Sequence, residues 1–398
     1  VTFAQIAIKT DLLYPMTGDL KPLENAVILC GPDGKIQAVG PSAETQIPEG
    51  YQLLTAKVVT PGFIDAHTTV GLSGILNSPK HDQEQLEKSA PIQPELRALD
   101  AYNGRDPLVK WLRDLGVTTV HTGHSPGTLI SGQLMLVKTN VPSITSLDDT
   151  LVPTSAIAAT LGSGALASGG KSPGTRSKAI AVLRAKLLKA RAYSEKVAKA
   201  NAGDDDDSSP PDPDLRLQTL AQILEKKFPL LINAHRHQDI AAALRLRQEF
   251  DFDLILDGAS EAYLLLDEIK AAGVPVIVHP TMARAFGDLE NMTFTLAAQL
   301  HRKGIPFAFQ SGYERYVPKT RVVHFEAALA AAYGLPQHIA LAACTLYPAK
   351  ILGLDDQIGS LEPGKDADLA LFDGDPLETI THTTHVIIDG KFVSSSSR

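Results

Sequence analysis

Several histidines stand at or just beyond the carboxyl ends of short apolar stretches that predict β-strands. They are His67, His121, His124, His235, His237 and His279. An imidazole nitrogen is a common ligand of zinc and related divalent ions, and a metal-bound water is a nucleophile for hydrolysis. The types and positions of these residues therefore raise the question of a metal-dependent hydrolase.

Two interpretations of these histidines differ in the chemistry that they allow. In the first, a mononuclear metal site is rebuilt from His67 and His235, together with His124 or His279. In the second, the histidines are polar residues that line a wet pocket and hydrogen-bond to backbone or water. We favour the second interpretation, because clusters of this kind often have structural explanations.

The elements that would position these side chains alternate between strand-like and helix-like patterns. Eight strand-like stretches lie between residues 61 and 345: "PGFIDAH", "VTTVHTG", "GQLMLVKT", "TSAIAATLG", "PLLINAH", "DLILDG", "PVIVHP" and "IPFAFQS". Because parallel strands need helical crossovers, this order predicts an α/β fold with a (β/α)8 TIM-type barrel over residues 61–345. A doubly wound open sheet would give similar alternation, but no GxGxxG or P-loop pattern indicates a nucleotide site.

The two ends of the chain share a different pattern, in which short β-like runs are separated by turns. "NAVILC" and "KIQAVG" flank a Gly-Pro-Asp-Gly turn near the start, and "DADLALFDG" and "HVIIDGKFV" lie near the end. We predict one small β domain assembled from residues 1–60 and residues 346–398. Between α-helical patterns, residues 201–214 ("NAGDDDDSSPPDPD") are too charged and proline-rich to form a core and predict a solvated surface loop.

Bulk composition excludes some classes of function. The chain has 398 residues and a formal net charge of −8, so no basic surface indicates nucleic acid or an anionic membrane as a partner. Two cysteines cannot form a disulfide framework, and no apolar run reaches the length of a transmembrane span. The chain begins at Val1, so a soluble protein is expected either in the cytoplasm or in the periplasm or outside the cell after processing.

Three motifs carry a resemblance to a known family: "TPGFIDAHT" at the first barrel strand, "LYPAKILGL", and "IGSLEPGKDADLALFDGDPLE" at residues 358–378. Together they resemble the amidohydrolase superfamily, and more narrowly its imidazolonepropionase-related branch. The resemblance implies one or two divalent metals at the carboxyl-terminal mouth of the barrel. It further implies a His-x-His pair, an acidic residue or carboxylated lysine, two further histidines and a proton-accepting aspartate as the residues that hold and use the metal.

Most positions of that implied set hold another residue in this chain. Thr69 replaces the second histidine of the first strand, Ser163 stands at the fourth strand, and Asn233 replaces the histidine of the fifth. Gly258 and Ser311 occupy the histidine and aspartate positions of the sixth and eighth strands, which leaves His67 as the remaining ligand. A divalent ion held by one imidazole and neutral oxygens would bind weakly, because zinc sites normally have three or four protein ligands.

Few carboxylates and cations remain to give the mouth of the barrel a charge. Asp65 and Asp257 are the carboxylates that can be placed near the strand ends, and a structural hydrogen bond is the favoured role of Asp65. Arg236 could bind a ligand carboxylate or pair with Asp239, and Arg97 could face the site or pair with Asp100. We therefore predict a polar pocket lined by Thr69, Ser163, Asn233, Ser311, Arg236 and Arg97.

The expected function is that of an amidohydrolase-fold protein whose metal centre has degenerated and which no longer catalyses the family reaction. It would pair with an active paralogue or bind a small amide- or peptide-like ligand, without a cofactor. The alternative is a hydrolase of carbon–nitrogen bonds in cyclic amides, amides or dipeptides, which would use zinc or another divalent metal in the rebuilt site. A third possibility is a structural role through the small β domain or a dimer interface, and the resemblance itself implies a homo-oligomer.

Overall fold

The computed structural model describes residues 5–74, 82–169, 172–202, 211–279, 281, 285–312 and 323–395. Within them the strands are β1 (Ile6–Leu13), β2 (Leu23–Cys30), β3 (Ile36–Pro41), β4 (Gln52–Pro61), β5 (Phe63–Thr68), β6 (Val117–Gly123), β7 (Ile130–Lys138), β8 (Val152–Thr160), β9 (Leu230–Ala234), β10 (Leu254–Gly258), β11 (Val276–Val278), β12 (Phe307–Phe309), β13 (Leu369–Phe372), β14 (Thr383–Ile388) and β15 (Lys391–Ser395). The α-helices are α1 (Pro107–Asp114), α2 (Arg176–Ala202), α3 (Leu215–Leu224), α4 (His237–Phe250), α5 (Leu266–Ala272), α6 (Leu296–Lys303), α7 (Val323–Ala332), α8 (Gln337–Ala342) and α9 (Leu346–Ile351).

Strands β5 to β12 form one eight-stranded sheet in sequence order, and this sheet curls into a nearly closed barrel. A parallel bridge between Thr68 and Gly312 brings the first strand beside the residues that follow the last. All eight predicted strands coincide with strands of this sheet. The α/β barrel expected from the alternating pattern is therefore confirmed.

One strand of the barrel departs from the expected parallel arrangement. β7 pairs antiparallel with both β6 and β8, whereas the other neighbouring pairs are parallel. The connections on either side of β7, residues 124–129 and 139–151, contain no α-helix. Antiparallel neighbours can be joined by a short loop, whereas parallel neighbours need a long crossover connection. The reversed direction of β7 therefore explains why neither connection contains an α-helix.

The interior of the barrel has an apolar layer beneath a polar one. Ala66, Leu134, Ala156, Ala158, Leu231, Ile255, Ile277 and Ala308 pack together in the apolar layer. Because side chains alternate along a strand, residues two positions further on face the same way. On the last four strands or just beyond them these residues are Asn233, Asp257, His279 and Gln310, and all are buried. A buried polar layer therefore lies at the carboxyl-terminal end of the barrel.

The second sheet has the strand order β15-β14-β13-β4-β1-β2-β3 and is built from both ends of the chain, as predicted. The buried ammonium of Lys138, on barrel strand β7, contacts Asp366, Asp368 and Asp389 of the carboxyl-terminal part. Helix α9 packs against β5 and β12 of the barrel. The domain boundaries at residues 60 and 345 stay a prediction.

None of the helices in the described part of the chain is both long enough and apolar enough to cross a bilayer. The predicted solvated loop at residues 201–214 lies largely outside the described residues, since residues 203–210 are not described.

Candidate functional site

The polar layer of the barrel is centred on a contact between His67 and Asp257. Nδ1 of His67, from the end of β5, lies 3.2 Å from Oδ2 of Asp257, near the end of β10. Both side chains have no exposed surface. A buried carboxylate is costly unless it is hydrogen-bonded or paired, so the surroundings of Asp257 determine what this site can do.

Two amide side chains complete the surroundings of Asp257. Asn233, which lies beside Asp257 in the pairing of β9 with β10, donates from Nδ2 to Oδ2 over 2.9 Å. Gln310 donates from Nε2 to Oδ1 over 2.6 Å. Each carboxylate oxygen of Asp257 thus accepts at least one hydrogen bond from a residue on, or just beyond, another strand.

These contacts favour the ionised form of Asp257. Burial alone would raise its pKa, but His67 and the amide of Asn233 together hold the pKa of Asp257 below its ordinary value. The site therefore has a buried, negatively charged carboxylate surrounded by the imidazole of His67 and the amides of Asn233 and Gln310. Among the described residues, no three or more His, Cys, Asp or Glu side chains are grouped so that they could hold a metal ion.

His235 lies close to the same strand end as Asp257, and the two side chains interact electrostatically. Its Nδ1 is 2.8 Å from Oγ of Ser260, and burial lowers the pKa of the imidazole. Gly258 has φ of 78°, and a Cβ placed there would lie 2.4 Å from Cε1 of His235. The ring therefore requires glycine at position 258. Asp257 is the sixth-strand residue on the same face as the interior Ile255, whereas Gly258 is the residue that the resemblance places at a histidine position.

The other histidines considered for a metal site are buried, and each contacts a different part of the barrel. His124 packs so closely on the backbone of β7 that a Cβ at Gly132 would lie 2.3 Å from its Cδ2, and burial lowers its pKa to about 4. His279 is buried beyond β11, where its backbone N–H donates to the carbonyl of Gly258 over 3.0 Å. His121 places Nδ1 2.7 Å from the carbonyl oxygen of Ala66. Burial and the nearby His67 lower the pKa of His121 to about 3, so this ring is neutral.

Thr69 and Ser311, predicted to line the pocket, are buried and contact their own neighbours. Oγ1 of Thr69 is 3.0 Å from Oγ of Ser73. The backbone N–H of Ser311 donates to Oδ1 of Asp65 over 3.0 Å, and its hydroxyl is 3.4 Å from Oγ1 of Thr68. Asp65 thus joins the first strand to the residues after the last, which is the structural role expected for it.

Ser163 and Arg236 meet at a carboxylate on the rim of the barrel. Both the N–H and the hydroxyl of Ser163 donate to Oδ2 of Asp288 over 2.7 Å, and Nε of Arg236 is 3.3 Å from Oδ1 of the same residue. Arg236 also pairs with Glu290 over 2.8 Å. Its partners are therefore Asp288 and Glu290, and the proposed pair with Asp239 is wrong.

Two further carboxylates, Asp239 and Asp100, form ion pairs with arginines. Asp239 pairs with Arg176 over 2.8 Å, which explains why it is not the partner of Arg236. Arg97 makes two hydrogen bonds to Asp100, of 2.8 and 2.7 Å, on an exposed surface. Arg97 is thus held in a local ion pair rather than turned toward Asp257.

The sequence analysis did not predict the contacts that Asp257 and Gln310 make inside the barrel. Both lie two residues beyond apolar residues of the barrel interior, Ile255 and Ala308. The alternation of side chains along these two strands was the available signal, and it points to the same positions.

Comparisons with known proteins agree with this architecture. A profile described as "Amidohydrolase family" matches residues 317–393. Amidohydrolase tasK of Hapsidospora irregularis is 26% identical over 380 residues, which are 87% of this chain and 37% of the relative. The chain thus spans little more than a third of the length of that relative. A 5-methylthioadenosine/S-adenosylhomocysteine deaminase of Teredinibacter turnerae is 47% identical over 47 residues, 12% of this chain and 11% of the relative.

Solved structures extend the similarity over nearly the whole chain. An amidohydrolase from Thermotoga maritima MSB8 superposes with a TM-score of 0.88 and 27% identity, over 98% of this chain and 100% of that one. An adenosine deaminase from Xanthomonas campestris with bound zinc superposes with a TM-score of 0.55 and 16% identity, over 98% of this chain and 92% of that one. The second likeness concerns the fold alone. Together these findings support membership of the amidohydrolase superfamily.

Proposed function

We propose that this member of the amidohydrolase superfamily does not carry out metal-dependent hydrolysis. It acts instead as a binder of a small amide- or peptide-like ligand, or as the partner of an active paralogue. The observation that carries the proposal is the set of contacts at Asp257, where His67, Asn233 and Gln310 surround a carboxylate.

The polarity of those contacts disfavours a cation. A divalent ion needs acceptor atoms directed at it, whereas the amides of Asn233 and Gln310 direct N–H groups toward Asp257. An ion that took the place of these donors at Asp257 would have to break both hydrogen bonds. A hydrogen bond to a charged group contributes about 1.5–3 kcal/mol, so losing both would cost several kcal/mol before any metal bond formed.

The substituted positions add few compensating ligands. Thr69 and Ser311 offer neutral hydroxyl oxygens that already contact Ser73 and Thr68. Gly258 offers no side chain, and the close approach of His235 excludes a larger residue there. Without a firmly bound metal, no group at this site would lower the pKa of a water to the range that hydrolysis at neutral pH requires.

Elemental analysis of the purified protein tests this proposal. The protein is expressed with zinc, iron and manganese supplied and purified without chelators, beside a metal-containing amidohydrolase treated in the same way. We expect well below one equivalent of each metal in this protein and full occupancy in the control. Stoichiometric metal that is lost in the variant His67→Ala would overturn the proposal.

The alternative function is a carbon–nitrogen bond hydrolase with a rebuilt mononuclear site of His67, His235 and either His124 or His279, holding zinc or another divalent ion. One observation favours it: an imidazole paired with a carboxylate, as in His67 and Asp257, is also found around metal sites. If it is correct, His67→Ala and His235→Ala each abolish a metal-dependent amidase activity. Unchanged activity in both variants would rule it out.

Association with other subunits belongs to the same proposal. A paralogue that retains the metal ligands would supply the chemistry that this chain lacks, and a homo-oligomer is implied by the resemblance. Light scattering coupled to size-exclusion chromatography gives the molar mass of the protein without a partner, and hence its oligomeric state. A monomer that does not associate with an active paralogue in the same experiment would leave ligand binding as the proposed role.

A further inference from the structure

A cavity of about 770 Å³ lies at the carboxyl-terminal end of the barrel. Its lining comes from the loop after β6, the loop after β8, and residues 88–91. Side chains that surround Asp257 are not part of this lining, so the cavity lies to one side of the buried polar layer. Its volume is within the range typical of small-molecule sites, and this end of a barrel is where such folds bind ligands.

Hydrogen bonds fix the walls of this lateral cavity. The N–H of Ile130, at the start of β7, donates to the carbonyl of Pro91 over 3.1 Å. The N–H of Gly127 donates to Oγ1 of Thr160 over 3.0 Å, which attaches the loop after β6 to the end of β8. A pre-formed site binds a ligand without the cost of ordering its walls.

The cavity occurs where the barrel departs from regular alternation. Residues 124–129 connect β6 to the antiparallel β7 directly, without a crossover helix. Gly127 and Thr128 of this short connection line the cavity, together with Gly164 and Leu166 of the loop after β8. The reversal of β7 therefore places two loops, rather than a packed helix, on either side of the open space.

The chemistry of the lining indicates an anionic ligand with an apolar body. Lys88 is the charged residue of the lining, and no carboxylate side chain lines the cavity within the described part of the chain. Lys88 is exposed, and its ammonium forms no ion pair with the residues that the structure describes. Pro91, Ala165 and Leu166 supply apolar surface. The hydroxyl of Thr128, which donates to Oγ of Ser131, keeps lone pairs to accept from an amide N–H.

We propose that this lateral cavity binds a small carboxylate that also carries an amide and an apolar group, such as an N-acylated amino acid or a short peptide with a free carboxyl end. Lys88 pairs with the carboxylate, Thr128 accepts from the amide, and the apolar wall contacts the side chain. This inference rests on the proposed function and names the ligand class and the site, which is distinct from the barrel axis.

Binding of two matched probes tests the inference. The first probe, N-acetyl-alanyl-alanine, has a free carboxylate. The control probe has the same shape, but a C-terminal amide replaces the carboxylate and removes its charge. Titration calorimetry and saturation-transfer NMR measure binding of each probe to the wild-type protein and to Lys88→Met. This substitution removes the positive charge and keeps an unbranched side chain of similar length. Lys9→Met, at an exposed lysine of β1 in the other sheet, is the control variant.

A second variant blocks the cavity without removing a charge. Gly164 is not in the left-handed region, and a Cβ there would meet only Cγ2 of Thr160, at 3.7 Å. Gly164→Leu is therefore expected to fold normally and to fill part of the cavity. Circular dichroism and the unfolding midpoint verify the fold of each variant before binding is measured.

We expect the carboxylate probe to bind at least tenfold more tightly than the amide, and its binding to be lost in Lys88→Met and Gly164→Leu but kept in Lys9→Met. Absence of binding, equal binding of both probes, or binding that survives Lys88→Met would overturn the inference while leaving the metal analysis untouched. Cleavage of the probe together with loss of binding in Lys88→Met would support the cavity and overturn the non-catalytic proposal.

Discussion

Replacing Asp368 with asparagine is expected to stabilise the protein at neutral pH. Asp368 is buried between the two sheets, where its Oδ2 is 3.0 Å from Nζ of Lys138 and its Oδ1 accepts from the backbone N–H of Asp389 over 2.9 Å. Burial raises the pKa of Asp368 to about 6, and the negative charges of Asp389 and Asp366 add to this effect against the opposing charge of Lys138. The folded protein therefore favours the protonated carboxyl group.

The size of the effect follows from that pKa. The pKa rises from an ordinary value of 3.8 to about 6 on folding. Each pKa unit corresponds to about 1.4 kcal/mol, so deprotonation of Asp368 lowers the free energy of unfolding by about 3 kcal/mol. The stabilising contribution is complete below about pH 4 and is lost as the pH rises through about 6. An asparagine stays neutral throughout and does not incur this loss.

Urea unfolding between pH 4 and pH 8 measures the prediction, with the wild type, Asp368→Asn and Asp366→Asn studied in parallel. Asp366 is the matched control. Burial raises its pKa less than the charge of Lys138 and the hydrogen bonds from Lys138, Lys35 and Gln357 lower it. Its carboxylate therefore stabilises the fold above its unfolded pKa, and that stabilisation is lost as the pH falls.

The two substitutions should thus change the free energy of unfolding in opposite directions at neutral pH. Asp368→Asn is expected to match the wild type near pH 4 and to exceed it by up to about 3 kcal/mol near pH 8, whereas Asp366→Asn is expected to be less stable than the wild type near pH 8. A loss of stability in Asp368→Asn at pH 8 that equals the loss in Asp366→Asn would contradict this prediction, because it would show that both carboxylates are stabilising partners of Lys138.

Two other substitutions test the contacts in the barrel. Asp257→Ala should lower the free energy of unfolding by about 3–5 kcal/mol, because it leaves His67 and two amides without their shared acceptor; a urea midpoint within error of the wild type would contradict this. Gly258→Ala should cost about 1–3 kcal/mol, because alanine is strained at φ of 78° and its Cβ would lie 2.4 Å from His235. Adding His235→Ala should recover the steric part of that loss, and a double variant no more stable than Gly258→Ala would argue against the clash.

The barrel strands could be predicted from the sequence because each is a short apolar run bounded by turn residues. The direction of β7 could not, because periodicity along a strand does not depend on the direction of its neighbours. The length of the connection from β6 to β7 does indicate that direction. Residues 124–129 are too few for a crossover helix, and a count of the residues between these two strands would have predicted an antiparallel pair.

Within the site, single residues could be predicted more readily than their partners. The sequence predicted that His67 and Asn233 lie near the barrel mouth, and both contact Asp257, but it did not predict Asp257 as the residue that joins them. A pair with Asp239 was one of the two roles considered for Arg236, the other being a ligand carboxylate. Its partner Asp288 comes from a distant loop, and pairs of that kind depend on the fold as a whole.

Diffraction from crystals grown with zinc, recorded on both sides of the zinc absorption edge, shows whether the barrel binds a metal ion. We expect no anomalous peak within coordinating distance of His67, with Asp257 still hydrogen-bonded to Asn233 and Gln310. A fully occupied zinc ion bound inside the barrel by three or more side chains would contradict this expectation.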